Sequence, residues 1–151
     1  MTTEAGNVAI LREAYAQWGE SKGQSSDHWL GLLADDVEWR SLAQGSSGME
    51  FTSPANRREQ VRGYLEGLAR DWRMLGYEVD EMVAQGDRVV VLCRCAWVHR
   101  GTGRHVALEK VDVLRLRDGR ITHFMEYYDT AKAMQATGLR IVDPTGTVIA
   151  V

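Results

Sequence analysis

From Tyr77 onward the chain alternates apolar and polar residues in four consecutive runs: Tyr77 to Ala84, Arg88 to His99, Arg104 to Leu116, and Arg120 to Tyr128. Period two is the mark of strands with one buried face, because successive side chains point to opposite sides of a sheet. The separators, Gln85-Gly86-Asp87, Gly101-Thr102-Gly103 and Asp118-Gly119, are turn-formers. Connections this short leave no room for the crossover of roughly a dozen residues that a parallel pair needs. The second half therefore predicts an antiparallel meander with one apolar face, and the first half must cover that face.

The first half reads as helical. Val8, Leu11, Tyr15 and Trp18 recur at helical spacing, giving an amphipathic helix that ends near Gly19 to Gly23. Ser26 and Asp27 cap a short helix through Trp29, Leu30 and Leu33, after which Val37, Trp39 and Ser41 alternate with Glu38 and Arg40 as in a strand. Ser53-Pro54 predicts the start of a third helix, the longest, whose face is marked by Val61, Leu65, Leu68, Trp72 and Leu75. Helices followed by strands in this order predict an α+β fold. The whole, 151 residues, is the size of one domain; we expect it to span residues 1–138, followed by an apolar tail, 139–151.

Charge excludes some partners. Eighteen basic residues stand against 21 acidic ones, a formal net charge of −3, so no broad basic field exists for nucleic acid or an anionic membrane. The polar, acidic start Met1 to Gly6 has no basic-then-apolar signal pattern, and no stretch reads as a membrane span; the expected location is cytoplasmic. Cys93 and Cys95 sit two apart in an alternating run, a spacing that suits neither a disulfide nor a zinc site, and read as reduced core residues. No nucleotide or flavin motif is present, so neither a metal nor a cofactor is expected.

The order of elements resembles the ketosteroid isomerase and SnoaL-like superfamily, the nuclear transport factor 2-like cone. Its carriers are Leu33-Ala34-Asp35-Asp36-Val37-Glu38-Trp39 and the hairpin Val111 to Leu116 that closes through Asp118-Gly119-Arg120-Ile121 into Glu126-Tyr127-Tyr128-Asp129. The resemblance covers roughly residues 7–135 and implies a cystatin-like cone, a curved antiparallel sheet wrapped around three N-terminal helices. It also implies a homodimer through the outer sheet face, where Val111 and Val113 lie. It does not imply one activity, because the superfamily holds isomerases, cyclases, dehydratases, epoxide hydrolases and non-catalytic binding domains.

In such a cone, strand parity decides which side chains enter the cavity. The resemblance places Asp112 inward with Leu108 and Leu114, then Phe124, Glu126 and Tyr128 from the last strand. Trp39, Ser41, Cys93, Cys95 and Trp97 enter from earlier strands and Tyr15 from the first helix. Five Trp and five Tyr against two Phe then read as the wall of an apolar pocket carrying polar handles. Asp112 and Tyr15 match the isomerase's protonated acid and phenol, which together form an oxyanion hole. The isomerase's general-base aspartate falls on Ser41, which leaves Glu126 as the inward carboxylate able to act as base. Lys110, two residues before Asp112, bears on this. On the cavity side its ammonium holds Asp112 ionised; turned outward by a bulge, it leaves the protonated-acid reading intact.

The expectation is a cofactor-independent acid/base enzyme, an isomerase, cyclase or related lyase, acting on a small hydrophobic carbonyl or polycyclic molecule. Glu126 is its base, with Asp112 and Tyr15 as acid or oxyanion partners. The alternatives are a non-catalytic binding domain for an apolar metabolite, or an epoxide hydrolase-like enzyme. The arginine and second aspartate of the epoxide hydrolase relay fall on Cys93 and Cys95. Cyclases of this superfamily pair an aspartate with a histidine; here His99 and His105 flank a turn and His123 has outward parity.

Overall fold

The computed structural model describes residues 3–149, so the outermost two residues of the expected domain and of the expected tail lie outside the described residues. Helix α1 (Thr3–Glu20) and helix α2 (Ser26–Leu32) lead into strand β1 (Leu33–Ser41). A short 3-10 turn (Glu50–Thr52) precedes helix α3 (Arg58–Asp71), and four strands follow: β2 (Trp72–Gln85), β3 (Arg88–His99), β4 (His105–Arg117) and β5 (Arg120–Tyr127). Helix α4 (Thr130–Ala136) closes the domain. The sheet order is β1-β5-β4-β3-β2. The meander β2 to β5 is antiparallel throughout, and β1 joins its β5 edge in parallel. The result is an α+β cone, with the helices lying against the concave face of the curved sheet.

Local chemistry explains most boundaries. On α1 the buried residues Leu11, Ala14, Tyr15 and Trp18 form one stripe at intervals of three and four. The β4–β5 hairpin closes on Asp118 (φ 51°) and Gly119 (φ 76°), the two positive φ values that suit a tight turn to the right-handed twist of the strands. Strand β2 carries register shifts between Met74 and Gly76 and between Val79 and Glu81. Such bulges bend a strand, and here they lie where the sheet must curl around the helices. The core is continuous from α1 to β5 and includes Leu33, Val37, Val61, Val89, Val91, Leu114 and Ile121.

The third helix departs from its expected limits. It begins at Arg58, not at Ser53-Pro54, because the intervening chain is used elsewhere: Ala55 pairs with Trp39 through both backbone bonds, at 2.8 and 3.0 Å, and extends the free edge of β1. It ends at Asp71, and Trp72, expected on its face, is already extended and paired with His99 across β2 and β3. Leu75, also expected on that face, is 37% exposed. The longest helix is α1, at 18 residues. The tail forms a small bridge of its own, Val142 to Val148, around an Asp143 carboxylate that accepts from the backbone of Thr145 and Thr147. No helix among the described residues is long and apolar enough to cross a membrane.

Candidate active-site cavity

A cavity of about 90 Å³ that opens to solvent lies between the concave sheet face and the helices. Its wall is largely aromatic, and the sheet register builds it. Trp39 and Phe124 are partners in the parallel β1–β5 pair, and their rings stack with centroids 3.8 Å apart. Tyr15 meets the Trp29 ring edge-on at 5.0 Å. Of the residues expected here, Tyr15, Trp39, Cys95, Trp97, Leu108, Asp112, Phe124, Glu126 and Tyr128 line the cavity. Ser41, Cys93 and Leu114 do not, and Leu114 is fully buried in the core. Ser41 is 1% exposed, hydrogen-bonded to the Tyr128 hydroxyl at 2.7 Å, and Cys93 lies behind Tyr77, its Sγ 3.4 Å from that phenol oxygen. Burial pushes the Cys93 thiol up to about 12, which keeps it neutral. Both cysteines are free.

The polar end is built by strand pairing. Asp112 of β4 lies directly across from Glu126 of β5, so two inward carboxyl groups become neighbours. Lys110 is two residues earlier on β4, and the β3–β4 register runs without a shift from Arg88 opposite Arg115 to Val98 opposite His105. With no bulge, parity holds and Lys110 faces the cavity. Its Nζ lies 2.7 Å from Glu126 Oε2, 3.3 Å from Asp112 Oδ1 and 3.1 Å from the Tyr77 hydroxyl oxygen. Tyr15 donates to Asp112 Oδ2 at 2.5 Å, and Tyr77 donates to the same oxygen at 3.4 Å. Tyr64, from α3, donates to Glu126 Oε1. Asp112 Oδ1 has no hydrogen bond of good geometry and relies on the charge of Lys110.

These contacts divide the three charged groups by depth. The Asp112 side chain is only 1% exposed, whereas those of Lys110 and Glu126 keep 12% and 13%. Burial drives the Asp112 carboxyl above its ordinary range; Lys110 and the Tyr15 hydroxyl oppose the shift and Glu126 adds to it. For Lys110, burial pulls the ammonium down, but the carboxylates of Asp112 and Glu126 outweigh it and hold it well above its ordinary value. Tyr15, Tyr64 and Tyr77 are pushed upward, first by burial and then by the carboxylates beside them, so they stay neutral donors. The Tyr15 hydroxyl donates its proton to Asp112 and lies on the cavity wall.

Tyr64 and Tyr77 were not among the expected site residues. Tyr64 follows Val61 by three and precedes Leu68 by four, on the stripe that marked the helix. Tyr77 pairs with Cys95 across β2 and β3, so the inward parity of Cys95 points to it. None of the histidines lines the cavity: His99 packs against Trp72 at 4.9 Å, and His123 pairs with Glu38 at 3.0 Å outside. Among the described residues no cluster of His, Cys, Asp and Glu is arranged to hold a metal ion.

Similar structures share the fold. A nuclear transport factor 2-like protein of unknown function from Burkholderia pseudomallei is 24% identical, with 92% of this chain and 100% of that one aligned at a TM-score of 0.77. A SnoaL-like polyketide cyclase assignment from Jannaschia is 17% identical, covering 93% and 97% at a TM-score of 0.77. A Catenulispora acidiphila protein with a ketosteroid isomerase-like fold, in complex with trimethylamine, is 20% identical over 86% and 92% at 0.70. No curated protein matches the chain. The SnoaL-like domain model matches residues 11–124, most of the chain, and the protein therefore belongs to the SnoaL-like domain family.

Proposed function

We propose that the protein is a cofactor-independent acid/base enzyme that removes a proton from a small hydrophobic carbonyl or polycyclic substrate, with Glu126 as the base. The observation that carries this reading is the placement of Glu126. It is a carboxylate at the edge of an aromatic cavity, partly accessible, with one oxygen held by Tyr64 and the other by Lys110. An apolar wall suits a hydrophobic substrate, and a base fixed on both oxygens needs little reorganisation when the proton moves. Asp112 and Tyr15 act one layer deeper: Tyr15 orients Asp112, and Asp112 anchors Lys110. Epoxide opening by the usual relay is not supported, since Cys93 and Cys95 are buried neutral thiols in the β3 segment expected to carry it.

A second reading, a non-catalytic binding domain for an apolar metabolite, is favoured by the aromatic wall. Deuterium exchange separates the two. Incubated in heavy water with a panel of hydrophobic ketones, the wild-type protein is expected to accelerate loss of the α-proton signal by NMR. Glu126→Gln is expected to lower that rate at least ~100-fold, the scale of a general base. Binding without exchange across the panel supports the second reading and removes the first.

A further inference from the structure

Resting on the assignment of Glu126 as base, we propose that Lys110 is a catalytic residue, the cation that holds the oxyanion formed on the substrate when Glu126 takes its proton. The phenol hydroxyls around the two carboxylates are already engaged. The Tyr15 hydroxyl donates to Asp112, Tyr77 accepts from Lys110 and donates to Asp112, and Tyr64 donates to Glu126. Asp112 itself is 1% exposed, behind the lysine. Lys110 is the one cation among the described residues lining the cavity, its side chain is 12% exposed, and its Nζ lies 2.7 Å from the carboxylate that accepts the proton.

The charge bookkeeping is closed within the pocket. A C–H bond of the substrate breaks, its proton goes to Glu126, and its electron pair moves through the adjacent carbon to the carbonyl oxygen, leaving an enolate. Glu126 becomes neutral as the enolate becomes negative, so one negative charge passes from the carboxylate to the substrate beside the same ammonium. Lys110 keeps its proton throughout and exchanges one anionic partner for another. Asp112 stays behind it as the fixed counter-charge, with Tyr15 and Tyr77 holding that carboxylate in place. Preorganised charge aimed at a developing oxyanion is among the largest sources of rate enhancement. The assignment also narrows the substrate to a molecule whose carbonyl oxygen reaches the Lys110 end while its apolar body rests against Trp39 and Phe124.

The test uses 4-nitrophenol, whose phenolate absorbs visible light and imitates an enolate, with nitrobenzene as the neutral comparison. Wild-type protein is expected to bind the probe as phenolate at a pH where the free probe is mostly phenol. Lys110→Met is expected to weaken phenolate binding at least ~10-fold, the scale of a charge-assisted hydrogen bond, while nitrobenzene binding is unchanged. Lys110→Arg is expected to restore phenolate binding. Wild-type preference for the neutral phenol, or phenolate binding by Lys110→Met equal to wild type, overturns the proposal. Should Lys110→Met not fold, the nitrogen-15 resonance of Lys110 Nζ in the wild type reads the same contact: phenolate moves it and nitrobenzene does not, and a resonance indifferent to phenolate overturns the proposal. Glu126→Gln separates this result from the base assignment, because phenolate supplied ready-made at alkaline pH still binds if Lys110 has this role, whether or not Glu126 is the base.

Discussion

At the scale of single residues, Lys110 governs the cavity's electrostatics. It neutralises two carboxylates that would otherwise lie side by side in an apolar space. Removing one partner of such a buried arrangement costs about 3–5 kcal/mol, because the remaining charge is left uncompensated. Lys110→Met is therefore expected to lose stability on this scale near neutral pH, read as the urea midpoint. The sign of its pH dependence follows from the shifts. The folded state holds Lys110 above its ordinary 10.5, so the contribution of the lysine is complete below that value and is lost as pH rises through the higher folded one. The folded state holds Asp112 above 3.8, so protonating it favours the fold, and its burial becomes a cost as pH rises through its raised value. Without Lys110 that cost grows, so the deficit of Lys110→Met should shrink in mild acid. A deficit independent of pH would show that Lys110 stabilises by packing alone.

Much of this site is legible in the residues themselves. The family resemblance, carried along each strand by parity, places Asp112, Glu126 and Phe124 on one face, and helical spacing adds Tyr15. The direction of Lys110 is not legible, because a single bulge would reverse it and bulges depend on the partner strand; β2 carries two and the β3–β4 pair carries none. Ser41 and Cys93 have inward parity yet stop short of the cavity, since the larger phenols Tyr128 and Tyr77 lie over them. Parity gives direction but not depth.

At the scale of elements, the contact between α1 and β2 sets the position of Tyr77. A Cβ at Gly19 would meet the Tyr77 carbonyl oxygen at 2.7 Å, so the helix approaches the strand as closely as it does only because no side chain intervenes. Gly19→Ala is expected to cost about 1–3 kcal/mol as an overpacking change and to lower the melting temperature. Because Tyr77 bridges Lys110 and Asp112, the same variant should also weaken phenolate binding; a variant with wild-type stability and binding would show that the backbones separate freely. The limits of α3 were hidden from the sequence for a tertiary reason. Proline at position 54 suits a helix start, but pairing of Ala55 with the edge of β1 satisfies two backbone groups that a helix would have used otherwise. At the other end the alternating pattern already begins at Trp72, and a residue pair that fits both periods is decided by its partner strand, β3.

For the whole molecule, the described residues leave part of the outer sheet face exposed. Leu92, Val111 and Tyr127 lie in register across β3, β4 and β5, flanked by the row Val90, Val113 and Met125, and Leu92 and Tyr127 are 36% and 44% exposed. A second copy of this chain is the proposed occupant, through an isologous contact on this face. Sedimentation is expected to show a dimer in the wild type and a monomer in Leu92→Lys combined with Val111→Glu; a monomeric wild type removes the proposal. None of these residues lines the cavity, so the double variant is expected to keep its ligand binding. Placing Glu126, Lys110 and the Trp39–Phe124 pair on nearby registers of β1, β4 and β5 makes the fold itself the positioning device, with the helices adding Tyr15 and Tyr64 as hydrogen-bond donors. In the proposed reaction Glu126 receives a proton from the bound molecule. Infrared difference spectroscopy of wild-type protein and Glu126→Gln on binding 4-nitrophenol tests it most directly. Loss of a carboxylate band and gain of a protonated-carboxyl band are expected in the wild type, both absent in Glu126→Gln; a carboxylate band that persists while phenolate is bound, or the same change in the variant, overturns the assignment of Glu126 as base.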